Sequence, residues 1–166
     1  MAPKIEFIEK APAWRHVLSA RKLARDAILA AVEESGAQFA RGAEATVHLV
    51  GDSDIQALNA QWRGKDAPTN VLSFPAAPPD QISRARLLGD ILIAYETVER
   101  EAEAEEKSFV DHFRHLVVHG FLHLLGYDHI EMGDAETMES LETRALARLG
   151  VADPYASGEL ETTNAP

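Results

Sequence analysis

The spacing of hydrophobic and polar positions changes several times along this chain, and the changes mark its elements. Lys4 to Glu9 sets Ile5 and Phe7 against Glu6 and Ile8, which predicts a short strand. Trp14 to Glu34 carries Val17, Leu18, Leu23, Ala27, Ile28 and Ala31 on one helical stripe, and Gly36 stops it. Ala45 to Val50 is rich in β-branched residues and predicts a second strand. Asp52 or Ser53 then caps a helix running through Trp62, with Ile55, Leu58 and Asn59 on one side. Asn70 to Phe74 forms a short strand closed by Pro75, and Pro78-Pro79-Asp80 marks a loop. Leu87 to Tyr95 is apolar on both faces at Ile91 to Ala94, the mark of a central strand. Tyr95 to Lys107 reads as a polar helix. Ser108 with Asp111 resembles a capping box that opens a buried helix ending at Gly126, and Asp134 caps a last helix to Leu149. The order β-α-β-α-β-β-α-α-α predicts an α/β (α+β) fold, a single domain with a mixed four-stranded sheet packed with about five helices. The domain is expected to span residues 1–151. Residues 152–166 are polar and aperiodic and are expected to form a disordered tail.

Composition narrows the setting. A chain of 166 residues with 46% hydrophobic content can bury one core. The absence of cysteine excludes disulfides and thiolate ligands, so any metal site must use nitrogen and oxygen. No apolar run is long enough to span a membrane, and Met1 to Phe7 lacks the apolar stretch of a signal peptide, so a cytoplasmic location without a membrane partner is expected. A net charge of −11 argues, taken alone, against nucleic acid. The charge is uneven, however. Residues 1–30 hold six basic and three acidic side chains, whereas residues 131–166 hold two and eight. Arg21, Lys22, Arg25, Arg63 and Lys65 leave room for a local basic face; for Arg21 to Arg25, ordinary solvated charges are the slightly better reading.

Chemistry concentrates in the eleven residues from His119 to His129. They place three imidazoles at spacings of four and six residues. Two histidines four apart share one helix face, so His119 and His123 point the same way. Gly126 permits the left-handed residue that ends a helix, and the returning chain can present His129. Three imidazoles with a free coordination position match a catalytic zinc, expected as one Zn2+ per chain. A lone histidine in an apolar helix is ordinarily a core residue, but three at ligand spacing point to a metal. His115 lies four residues before His119 on the same stripe, so His115 and His119 could pair instead; His119 and His123 are preferred because only they sit within reach of the Gly126 turn, and His115 is read as a neighbour or a group that supports a ligand. Asp128 is a weaker alternative to His129 or a further orienting group. His112 and His48 carry no comparable signal. The extended metalloprotease frame matches at His119, His123, Gly126 and His129, but Gly120 stands where the general-base Glu belongs. An ordinary peptidase is therefore disfavoured.

A second polar cluster runs from Asn59 to Pro75. Arg63 can clamp a phosphodiester bidentately, and Lys65 can add a point charge as a substrate-binding residue. On spacing alone, Arg63 is as readily a solvated charge. Thr69, Asn70 and Ser73 read better as turn residues.

Together the two segments, Arg63-Gly-Lys-Asp-Ala-Pro-Thr-Asn-Val-Leu-Ser-Phe-Pro75 and His119-Gly-Phe-Leu-His-Leu-Leu-Gly-Tyr-Asp-His129, resemble the bacterial YbeY endoribonucleases. Leu88 to Ile93 is similar to that family's central strand. The resemblance implies a single-strand-preferring, metal-dependent endoribonuclease. It would act in maturation of the small-subunit rRNA 3′ end, late small-subunit assembly and ribosome quality control. It places the zinc ligands on His119, His123 and His129 and a catalytic arginine on Arg63. The implied partners are single-stranded RNA and rRNA, with the small ribosomal subunit and its assembly factors. The general base stays open between an activated water, Asp128 and the ribose 2′-hydroxyl. Two alternatives remain at this level: a zinc hydrolase or peptidase acting on another substrate class, and a non-enzymatic assembly factor with a four-ligand structural metal.

Overall fold

The structure is a computed structural model that describes residues 2–128 and 132–156. His129 and residues 157–166, on which two of the expectations above fall, lie outside the described residues.

Among the described residues the strands and α-helices follow the expected order. Strand β1 (Lys4–Glu9) leads to helix α1 (Ala20–Ser35), strand β2 (Glu44–Val50), helix α2 (Asp52–Arg63) and strand β3 (Val71–Pro75). Strand β4 (Leu87–Ala94) is followed by helices α3 (Tyr95–Ala104), α4 (Phe109–Leu124) and α5 (Met132–Arg148). The sheet order is β1-β2-β4-β3, with β1, β2 and β4 parallel and β3 antiparallel to β4. This is the mixed four-stranded sheet expected, and β4 is internal as its two-sided apolar pattern requires.

Each face of the sheet has its own core. Ile91 and Ile93 of β4 join Val71 in the larger core under α1, α4 and α5. Leu92 and Ala94 turn the other way and pack with Leu72, Ile55 and Leu58 under α2. The alternation of β4 between these cores is the period-two geometry of a strand.

One difference lies near the N-terminus. The apolar stripe predicts a helix from Trp14, but Pro12–His16 is a short 3-10 turn and α1 starts only at Ala20, after Ser19 takes a left-handed φ of 60°. Trp14 is the reason. Its ring is buried against Tyr95, Phe109 and Phe113, and its indole N–H donates to the Val50 carbonyl at 2.8 Å. Holding that ring in the core redirects the chain before the helix begins.

Candidate metal centre

Helix α4 is built to hold its histidines rigidly. The Ser108 hydroxyl accepts from the Asp111 amide at 3.0 Å, which caps its first turn. Phe113, Val117, Gly120, Phe121 and Leu124 are buried. The C-terminal end closes as expected. Gly126 takes φ +102°, Tyr127 N–H donates to the Leu122 carbonyl at 3.1 Å, and Gly126 N–H donates to that of His123 at 3.0 Å. That pair of bonds is a Schellman stop.

The structure brings His119 and His123 together. Their Nε2 atoms lie 3.1 Å apart, with the rings nearly perpendicular at 84°. Tetrahedral zinc with Zn–N of about 2.0–2.1 Å requires neighbouring nitrogens at roughly 3.3 Å. The pair therefore fits two corners of such a site. His129, the third expected ligand, lies outside the described residues, and among the described residues no cluster of three or more metal-binding side chains forms.

Behind the imidazoles sits Glu142 of α5, whose side chain is 1% exposed. His119 donates to it through Nδ1 at 2.7 Å and His115 through Nε2 at 2.8 Å. The Tyr155 hydroxyl donates to the same carboxylate at 2.5 Å. Burial alone would raise the Glu142 pKa, but the hydrogen bonds from His115 and His119 outweigh it and hold the carboxyl well below the usual carboxylate range. Burial pushes His115 down, toward the neutral imidazole. Burial, then the Glu142 charge, push the Tyr155 phenol up, so it stays protonated and donating.

Glu142 was missed in the sequence because it sits in an acidic helix whose other carboxylates face solvent. A signal was there. Met138, Leu141 and Ala145 define the buried stripe of α5, and residue 142 falls inside it. Tyr155 lies within the segment expected to begin the tail. Asp153 receives the Tyr155 amide at 2.8 Å and the Thr143 hydroxyl at 3.1 Å, which ties Asp153–Tyr155 to α5.

Gly120 has a steric cause that its spacing did not disclose. A Cβ there would meet Ile91 Cγ2 at 2.9 Å, and Ser73 Oγ and Val71 Cγ2 at 3.2 Å. Position 120 faces the sheet, and the Ser73 hydroxyl donates to its carbonyl at 2.9 Å. A carboxylate there would point into the core rather than at the imidazoles.

Arg63 ends α2 and is exposed, as is Lys65 in the turn beyond it. Buried Asn59 shapes that turn by donating to the Ala67 carbonyl at 2.8 Å. Trp62 beside Arg63 is 64% exposed and touches Phe74 edge-on. α2 packs on the sheet face opposite α4, and the turn after Arg63 leads into the edge strand β3. Asn70 and Ser73, expected as turn residues, instead tie distant elements together: Asn70 donates to Glu101 at 2.9 Å, and Ser73, inside β3, donates to the Gly120 carbonyl of α4 at 2.9 Å. His112 also bonds Glu101, and His48 bonds Asp90, each at 2.8 Å. Arg21 and Arg25 stack over Phe7.

Comparison with known proteins decides the family. A family model described as Endoribonuclease YbeY matches residues 10–150, covering both polar segments. The chain belongs to the YbeY endoribonuclease family. A Methylocella silvestris relative named endoribonuclease YbeY is 50% identical over 155 residues, 93% of this chain and 87% of its own. A Bradyrhizobium YbeY is 51% identical over 161 residues, 95% of each chain. The solution structure of TM1509 from Thermotoga maritima superposes with a TM-score of 0.55 at 25% identity, covering 90% of this chain and 97% of that one. No helix among the described residues is long and apolar enough to cross a membrane.

Proposed function

We propose that this protein is a zinc-dependent endoribonuclease that cleaves single-stranded RNA in the cytoplasm. Its work would be maturation of the small-subunit rRNA 3′ end, with late small-subunit assembly and ribosome quality control. The observation that carries this reading is the convergence of the His119 and His123 Nε2 atoms in front of a buried carboxylate, in a chain of the YbeY family.

His119, His123 and His129 would hold the metal. When bound, it supplies Lewis acidity toward a phosphoryl oxygen and lowers the pKa of water. The protein's own contribution is orientation. Glu142 accepts a hydrogen bond from the Nδ1–H of His119, leaving the Nε2 lone pair directed at the site. Arg63 would neutralise charge developing on the phosphoryl oxygens, and Lys65 would bind the neighbouring backbone.

The test is cleavage of a defined single-stranded RNA by the pure protein, with bound zinc measured on the same samples. Arg63→Ala should abolish most cleavage and keep zinc. His123→Ala should lose both. Cleavage that survives both substitutions would belong to a contaminant and would overturn the reading.

A further inference from the structure

We propose that Glu142 is a positioning residue that fixes the tautomer of His119, and that Tyr155 locks Glu142 in place from the segment beyond α5.

A buried carboxylate is costly unless donors surround it. Among the described residues Glu142 has three: His115, His119 and the Tyr155 hydroxyl. Deprotonated, it can only accept, so each partner must present a hydrogen. For His119 this places the proton on Nδ1 and the lone pair on Nε2, the atom facing His123. Free neutral histidine prefers the opposite tautomer, with the proton on Nε2. Without Glu142, the atom needed for coordination would therefore carry a hydrogen. His115 is set the other way, with its hydrogen on Nε2 and its buried Nδ1 unpartnered among the described residues. Its ring stands edge-on to both His119 and Tyr155, at 6.3 and 5.8 Å between centroids. The three rings thus close around one carboxylate. Tyr155 is tied to α5, because Asp153 accepts from both the Tyr155 amide and the Thr143 hydroxyl. The histidine helix alone is therefore an incomplete site, and the residues after α5 belong to it.

The inference rests on the zinc reading only in part, and the experiment separates the two. Imidazole ¹⁵N shifts of the metal-free protein report the His119 tautomer, and chelator competition reports zinc affinity. Glu142→Leu removes the acceptor, Glu142→Gln keeps an oxygen without charge, and Tyr155→Phe deletes one hydroxyl. The wild type should show His119 protonated at Nδ1. Glu142→Leu should move that proton to Nε2 and weaken zinc binding by about 10–100-fold. Glu142→Gln should fall between, and Tyr155→Phe should shift both readouts less but in the same direction. A folded Glu142→Leu variant with an unchanged tautomer and zinc affinity overturns the proposal. Should that variant fail to fold, unchanged readouts in both Glu142→Gln and Tyr155→Phe overturn it equally. A wild type that binds no zinc sinks the functional reading, while the tautomer still decides the role of Glu142.

Discussion

Placing alanine at position 120 isolates what the glycine does. In a mid-helix position Ala is favoured over Gly by about 1 kcal/mol, so an unobstructed site would gain that much. Here the new methyl would sit 2.9 Å from Ile91 Cγ2 and 3.2 Å from both Val71 Cγ2 and Ser73 Oγ. Ordinary carbon contacts lie near ~3.5–4.0 Å. Ile91 and Val71 are buried at 0% and 2% exposure, and β-branched side chains have little rotamer freedom with which to yield. The overpacking cost should therefore lie in the upper part of the usual 1–3 kcal/mol, at about 2–3 kcal/mol. The net expectation for Gly120→Ala is a loss of about 1–2 kcal/mol, or roughly 2–8 °C in Tm for a domain of this size. Urea and thermal unfolding of the metal-free protein measure it. Ser73→Ala alone loses the bond to the Gly120 carbonyl, and in that background Gly120→Ala should cost less, a difference that a double-mutant cycle reads directly. Gly120→Glu, which would complete the peptidase motif on paper, buries a carboxylate against the sheet. It should cost at least several kcal/mol more and yield no peptidase. A Gly120→Ala protein as stable as the wild type, or more so, would refute the close approach of α4 to the sheet.

Further outcomes follow from the other sites. Zinc at about 100 times its Kd should stabilise the folded protein by about 2.7 kcal/mol, seen as a rise in Tm that EDTA reverses and His123→Ala abolishes. Burial raises the Glu101 carboxyl, but bonds from His112 and Asn70 outweigh it and hold it below its ordinary 4.5. Its contribution to stability is thus complete above pH 4.5 and lost as pH falls from there through the folded value. Urea midpoints from pH 7 to pH 3 should drop less steeply for Glu101→Gln than for the wild type, and an equal slope would count against the Glu101–His112–Asn70 tie. Trp62 is exposed while Trp14 is buried, so acrylamide and a short single-stranded oligonucleotide should quench the same exposed emission. Oligonucleotide binding that leaves it unchanged would place the RNA away from the Arg63 turn.

The parts of this molecule that were legible in its sequence are those governed by local period. The pairing of His119 with His123 follows from one helical turn. The stop at Gly126 follows from glycine's access to positive φ, and the central place of β4 follows from its two-sided apolarity. What stayed hidden depends on contacts distant in the chain. Glu142 joins His119 across 23 residues, and in sequence it looks like one more charge on an acidic helix. Gly120 reads as a deleted base until Ile91 and Val71 are seen beneath it. The break at Ser19 escapes a stripe that passes through it, because Trp14 answers to Val50 and Phe113 rather than to its own helix.

The order of these groups along the chain also has a temporal meaning. Synthesis proceeds from the N- to the C-terminus, so a nascent chain that has reached Leu125 already carries His119 and His123. It has neither Glu142 nor Tyr155. The imidazoles then lack the buried carboxylate that aims them, and a fragment ended before α5 is left in the same condition. An enzyme that acts on RNA thereby acquires its oriented site only once the residues beyond α5 have been made.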